Sequence, residues 1–174
     1  LPILTQKFGK MGKRLLELSS GIDESRVETN YIRKSISSET TLSQDIIDFQ
    51  TAKEIILARS QIVGNTLRKK KLVCGNVFIK LKFSDFSQIT RSRKLSSPVC
   101  SSSSIFNQAL FLYKKIRLKK KIRLIGVGVT ALKNKNLPVQ MQLLPDPGTN
   151  DKQWESVDFA VDSISEKFGS CIIN

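Results

Sequence analysis

The stretch Val77–Lys94, VFIKLKFSDFSQITRSRK, decides the reading of this chain. In its first half Val77, Ile79, Leu81 and Phe83 alternate with Phe78, Lys80, Lys82 and Ser84. A period of two describes a half-buried strand, with one side on a core and the basic side in water. Ser84, Asp85, Ser87 and Gln88 around Phe86 carry turn chemistry. Thr90, Arg91, Ser92, Arg93 and Lys94 form a return strand. Two adjacent strands with exposed cations make a platform on which a polyanion can lie.

Working outward, the pattern on either side completes a fold. RKSISSET, residues 33–40, reads as a first strand around Ile36, and Thr41 or Ser43 begins a helix over about 43–70 with a break near Phe49–Thr51. Ala52, Ile55, Ile56, Arg59, Ile62, Val63 and Leu67 give that helix a core stripe at 3–4 spacing. Its basic end, Arg68–Lys71, suits the helix dipole and asks for no other role. After the hairpin, LSSPVCSSSS reads as a serine-rich loop whose last serine caps a second helix over about 104–118. Ile105, Phe106, Ala109, Leu110, Tyr113 and Ile116 form its apolar face. KIRLIGVGVTAL, residues 121–132, is a last strand. On it Ile125, Val127, Val129 and Ala131 face one way, and Leu124, Gly126, Gly128 and Thr130 the other. Glycine on such a face marks either close approach of another backbone or a twist or bulge. The order β-α-β-β-α-β predicts an α+β fold: a four-stranded antiparallel sheet with two helices on one face, ferredoxin-like.

The flanks read differently. Residues 1–22 form a Gly9–Gly12 turn and a short helix, the end of another domain, and residues 23–32 a polar tether. Residues 137–174 hold NLPVQMQLLPDPG, extended by its prolines, and then a helix over 152–168. The chain opens Leu-Pro, with neither Met nor a secretory leader pattern, which predicts a fragment of something longer.

Composition narrows the function. The chain has 174 residues, 40% of them hydrophobic, and a net charge of +14. Residues 68–136 carry 18 Lys or Arg against one acid, Asp85, while residues 137–174 carry two Lys against six acids. Several basic runs converging on one domain point to a nucleic-acid backbone. An anionic membrane surface calls for a basic amphipathic helix with large exposed apolar residues, which is not evident here. The three cysteines, Cys74, Cys100 and Cys171, are unclustered, which fits a reduced cytoplasmic compartment better than a zinc site. There is no His and no nucleophile–base pair. Asp45 and Asp48 read as a solvated helix start rather than a metal pair.

GKMGKRLLELSSGID resembles the closing helix of the thumb in Y-family translesion DNA polymerases. RKSISSET, FSDFSQITRSRKL and KIRLIGVGVTAL resemble the first strand, central hairpin and last strand of that family's little finger. WESVDFAVDSISEKFGSCII resembles the tail helix of bacterial DNA polymerase IV-like members. The resemblance implies a little finger over 33–136 that grips template-primer DNA, damaged DNA included, through phosphates. The residues it nominates are Lys34, Ser35, Ser37, Thr90, Arg91, Ser92, Arg93, Lys94, Arg123 and Thr130, to which the basic face of the hairpin adds Lys80 and Lys82. Such contacts position without reading sequence. The family's chemistry uses palm carboxylates holding two metal ions, so Mg2+ is expected for the parent polymerase and the fragment alone is expected to be inert. QMQLL resembles the peptide by which bacterial polymerases hook into the sliding clamp, through Gln140, Met141, Leu143 and Leu144, with Leu where the usual last residue is Phe. The alternative for these residues is packing on the chain's own helix. Two rival functions use the same fold. An RNA-binding module needs aromatics on the central strands, where only Phe78 has the right parity. A small metabolic enzyme or regulatory domain sits poorly with the charge.

Overall fold

The computed structural model describes residues 2–29, 32–135 and 151–169. The chain divides into two compact units, Leu1–Ile32 and Arg33–Asn174. In the first, α1 (Pro2–Phe8) and α2 (Met11–Ser19) join through Gly9, whose φ of 57° is the left-handed conformation that a tight reversal needs. Gly12 lies against the backbone of Leu4, where a Cβ would collide. Arg14 pairs with Asp23 and donates to Ser25 Oγ at 2.9 Å, so the chain just after α2 is anchored to it. Ser25 and Arg14 together hold the Asp23 carboxyl at about 2.

The second unit contains β1 (Ser35–Ile46), α3 (Phe49–Lys69), β2 (Leu72–Phe83), β3 (Gln88–Val99), α4 (Ser102–Lys114), β4 (Ile122–Asn134) and α5 (Asp151–Phe168). The sheet is antiparallel with strand order β1-β4-β2-β3, so the two central strands are β4 and β2. The β-α-β-β-α-β expectation holds. The predicted alternation on β2 is seen directly: Val77, Ile79, Leu81 and Phe83 are buried and the residues between them are not. They meet Ile125, Val127 and Val129 of β4, and α3 and α4 close that face with Ala52, Ile56, Val63, Leu67, Ile105, Ala109 and Leu112. Gly64 of α3 lies where any Cβ would strike Ser102, so the two helices touch closely there.

Several boundaries differ from the sequence reading, each for a local reason. β1 runs on to Ile46 past an irregularity between Thr41 and Ile46, so Thr41 and Ser43 start no helix and Asp45 lies in the strand. The helix begins at Phe49 because Asp48 caps it, its Oδ2 accepting from Thr51 N at 2.7 Å and Thr51 Oγ1 at 2.8 Å. Those bonds lower the Asp48 pKa. β3 continues through Pro98 to Val99, which is tolerated because β3 is an edge strand and a missing N–H costs no ladder bond. Ser101, not Ser104, caps α4. Ile62 is 45% exposed and leaves the α3 stripe.

The largest correction concerns Arg68 and α5. The basic end of α3 suits the helix dipole and asks for no other role, yet the Arg68 side chain is only 4% exposed and has one. It donates to Asp162 from Nε at 2.6 Å and Nη2 at 2.9 Å, and to Asp158 at 3.0 Å, Ser102 Oγ at 3.0 Å and the Cys100 carbonyl at 3.2 Å. Asp158 also accepts from Ser102 N at 2.8 Å, at the start of α4. α5 therefore docks through its carboxylates, while Trp154, Val157, Val161, Ile164 and Phe168 at 3–4 spacing stay exposed.

Candidate nucleic-acid interface

The face of the sheet away from α3 and α4 is built by strand parity alone. The register aligns four rows across β1, β4, β2 and β3. They are Ser35, Thr130, Asn76, Lys94; then Ser37, Gly128, Phe78, Ser92; then Glu39, Gly126, Lys80, Thr90; and last Thr41, Leu124, Lys82, Gln88. Hydroxyls line both edge strands and cations stand on the β2–β3 side. Ser35, Ser37, Lys80, Lys82, Thr90, Ser92, Lys94 and Thr130 thus lie on one surface, with exposed Lys34 just ahead of β1. Asn76 Nδ2 donates to Thr130 Oγ1 at 2.9 Å, fixing the first row.

Arg91 and Arg93 do not belong to this surface. They stand opposite Ile79 and Val77, whose side chains enter the core, so both guanidinium groups leave β3 on the helix side. Arg93 stacks on Phe111 of α4 at 4.4 Å. The cationic run 91–94 is split by the pleat: Lys94 goes to the open face and the two arginines to the other. Arg123 is set apart in another way. The register shifts between Lys82 and Phe83, and Arg123 falls in the irregularity. Its guanidinium lies 3.8 Å from Asp45 and over the Phe86 ring at 5.0 Å.

Phe86, in the sequence only part of a turn, stands at the end of this surface. It sits at the hairpin tip with φ of 65° and is 61% exposed, both unusual for a bulky aromatic. Lys82 lies over one region of the ring at 4.8 Å, so the ring holds two cations at the end of the sheet. The turn is stiffened by Asp85, which accepts from Ser87 N at 3.1 Å and Ser87 Oγ at 2.6 Å and pairs with Lys120. Lys120 and then Ser87 lower the Asp85 carboxyl to about 2.

The two glycines of β4 serve neighbouring side chains, rather than another backbone or a bulge. At Gly126 the Lys80–Glu39 pair, 2.9 Å, spans the strand, and an added Cβ would stand 3.0 Å from Glu39 Cβ. At Gly128 the Phe78 ring lies across the strand, and a Cβ there would strike the ring and stand 2.8 Å from Ser37 Cβ. Replacing Gly128 by Ala is expected to cost about 1–3 kcal/mol as overpacking. Adding Phe78→Ala should return part of that loss, so in a double-mutant cycle by urea denaturation the double variant should lose less stability than the two single variants summed. Additivity within error would mean that the ring is not what Gly128 makes room for.

Among the described residues no group of three or more His, Cys, Asp or Glu is placed to hold a metal ion. Cys74 and Cys100 are buried. No helix among the described residues is long and apolar enough to cross a membrane. Gln140, Met141, Leu143 and Leu144 lie outside the described residues, as does Cys171.

A basic, hydroxyl-lined open sheet backed by two helices defines a ferredoxin-like domain. Comparison with known proteins sharpens that class. Residues 33–143 match the impB/mucB/samB family C-terminal domain, and the chain belongs to that family. Relatives include DNA polymerase IV 1 of Mesorhizobium japonicum, 31% identical over 95% of this chain and 37% of its own length. The DNA polymerase IV of Desulfatibacillum aliphaticivorans is 31% identical over 97% of this chain and 42% of its own, and that of Clostridium acetobutylicum 30% over 98% and 43%. The chain thus spans about two fifths of the length of the curated relatives it matches. A solved structure described as a complex of beta-clamp processivity factor and little finger domain of PolIV is 25% identical, with a TM-score of 0.48, over 66% of this chain and 99% of that one.

Proposed function

We propose that this chain is the DNA-gripping C-terminal part of a translesion DNA polymerase, a little finger whose open sheet face lies on the phosphates of template-primer DNA. The four aligned rows carry the reading. They present hydroxyls and lysines in a flat array with little that can reach into a groove and read bases. Relatives that align along nearly all of this chain are DNA polymerases, which supports the assignment. The nucleotidyl-transfer chemistry, and the Mg2+ it uses, belong to the part of the relatives' length that this chain does not cover. The comparisons lend no support to the RNA-binding alternative. Binding of two unrelated duplex sequences with equal affinity and a steep salt dependence is the expected result. A strong preference for one sequence would overturn the reading.

The clamp part of the proposal rests on QMQLL. A loose, sequence-blind grip gains from a tether that raises the local concentration at a primer end. Leu143 and Leu144 would enter an apolar pocket while Gln140 bonds at its rim. In a titration against a bacterial sliding clamp, Leu143→Ala/Leu144→Ala should weaken binding by about 2–4 kcal/mol. Equal affinity of the two proteins would remove the clamp from the proposal and leave DNA binding untouched.

A further inference from the structure

On the helix side of the sheet, below the hairpin, lies a cleft of about 350 Å3 between the end of the β2–β3 hairpin and the segment after α4. Five of its nine lining residues are cations, and no acid lines it. Its shape is set by two ties between the hairpin and the segment after α4. Ser84 N donates to the Lys121 carbonyl at 2.9 Å, and Asp85 pairs with Lys120. Phe83, Ile89 and Ile116 make an apolar floor, Phe83 being 8% exposed.

Lys115 at the end of α4 lies over Phe111 at 4.3 Å, but among the described residues its charge meets no carboxylate. Arg91 donates to the Thr90 carbonyl at 3.3 Å, and its charge too is left over. Arg91 of β3 and Arg117 and Lys119 of the segment after α4 converge on one concavity, and among the described residues none of them is ion-paired with a carboxylate. Like charges gathered around a concavity repel one another unless an anion joins them. An apolar floor under a cationic rim, at the small end of ligand-pocket volumes, matches a base or sugar with phosphate attached.

We propose that this cleft is a second binding site that takes one phosphate-bearing nucleotide unit, with Arg91, Lys115, Arg117 and Lys119 on the phosphate and the Phe83–Ile89–Ile116 floor under the base or sugar. It faces away from the open sheet surface and does not depend on the duplex reading. The unit is either a free nucleotide or one residue of a single strand; both carry the same chemistry, and the test separates them.

The test uses the 174-residue chain held at saturating unlabelled blunt duplex, so that the open face is occupied. A fluorescein-labelled dT6 oligonucleotide is then titrated by anisotropy. Binding should persist in the presence of duplex. The variant Lys115→Ala/Arg117→Ala/Lys119→Ala should bind dT6 at least tenfold more weakly, with a log–log salt slope shallower by about 2. A control of equal charge loss away from the cleft, Lys53→Ala/Lys70→Ala/Lys133→Ala, should change it less than threefold. Circular dichroism confirms that both variants are folded. Competition separates the two sources: dATP displacing dT6 marks a free-nucleotide site, and displacement only by longer oligonucleotides marks a strand site. Tripolyphosphate should compete less well than dATP, because it lacks anything for the apolar floor. Complete displacement of dT6 by duplex, or equal loss in the cleft variant and the control, would overturn the proposal. Failure of the chain to bind duplex would strike the open-face reading and leave dT6 binding to be judged alone.

Discussion

Arg68→Ala is expected to lower the melting temperature by roughly 6–12 °C. The side chain is 4% exposed and carries two carboxylates, Asp158 and Asp162, each 17% exposed. Removing one partner of a buried pair costs about 3–5 kcal/mol, because the charge left behind has lost water without gaining a counter-ion. The carboxylates keep some access to water, so the lower end, about 3 kcal/mol, applies here. For a chain of this size each kcal/mol moves the melting temperature by about 2–4 °C. Ser102 Oγ and the Cys100 carbonyl also lose a donor, and both belong to the start of α4. The effect should therefore reach beyond α5.

Acid gives the same prediction an independent readout. Burial by itself would raise the Asp162 pKa, but hydrogen bonds from Arg68 and Asn65 outweigh it and hold the carboxyl below its usual 3.8. A lowered folded-state pKa contributes stability that is complete above the unfolded value and fades as pH falls through the folded one. α5 should loosen below about pH 4 in the native chain. Trp154 lies on α5 and is the chain's one tryptophan, so its fluorescence anisotropy follows that helix. In Arg68→Ala the anisotropy should already be low at neutral pH and show no acid limb from this pair. A melting temperature within 2 °C of the native value, with an unchanged acid limb, would show that the carboxylates do not hold α5.

The second large effect is on DNA. Lys82→Ala/Lys94→Ala removes two cations from the open face, on β2 and the edge strand β3. Each lost duplex phosphate contact lowers the log–log salt slope by about 0.9, so the slope should fall by about 1.8 and affinity at 0.15 M salt by roughly 30-fold. Lys80 is a weaker target, because Glu39 at 2.9 Å already neutralises much of it. Arg91→Ala/Arg93→Ala removes the same charge from the same strand but from the helix side, and should change duplex affinity several-fold less. Fluorescence anisotropy against a 16-base-pair duplex at four salt concentrations separates the two variants. Equal slopes for both would show that binding follows net charge and not the face of the sheet.

The contrast between those variants marks the division between what the sequence carries and what it cannot. Strand parity is local: Val77, Ile79, Leu81 and Phe83 must share a side because successive residues on a strand point opposite ways, and burial needs them together. From this came the fold, the open face, and the placement of Lys80 and Lys82 on it. The resemblance nominates the whole run 90–94, and the pleat divides it, with Thr90, Ser92 and Lys94 on the open face and Arg91 and Arg93 on the other side. Boundaries were less legible, because a cap is one hydrogen bond: Asp48 and Ser101 each won over neighbours of equal propensity. Register shifts, and with them the position of Arg123, depend on how two strands meet and leave no mark on either alone. Long-range pairing is wholly invisible from one segment. Arg68 looks like any basic residue at a helix end until the chain returns, 90 and 94 residues later, and lays Asp158 and Asp162 against it. Only the packed structure decides that, because the cost of burying the guanidinium is met by groups that the sequence keeps far apart.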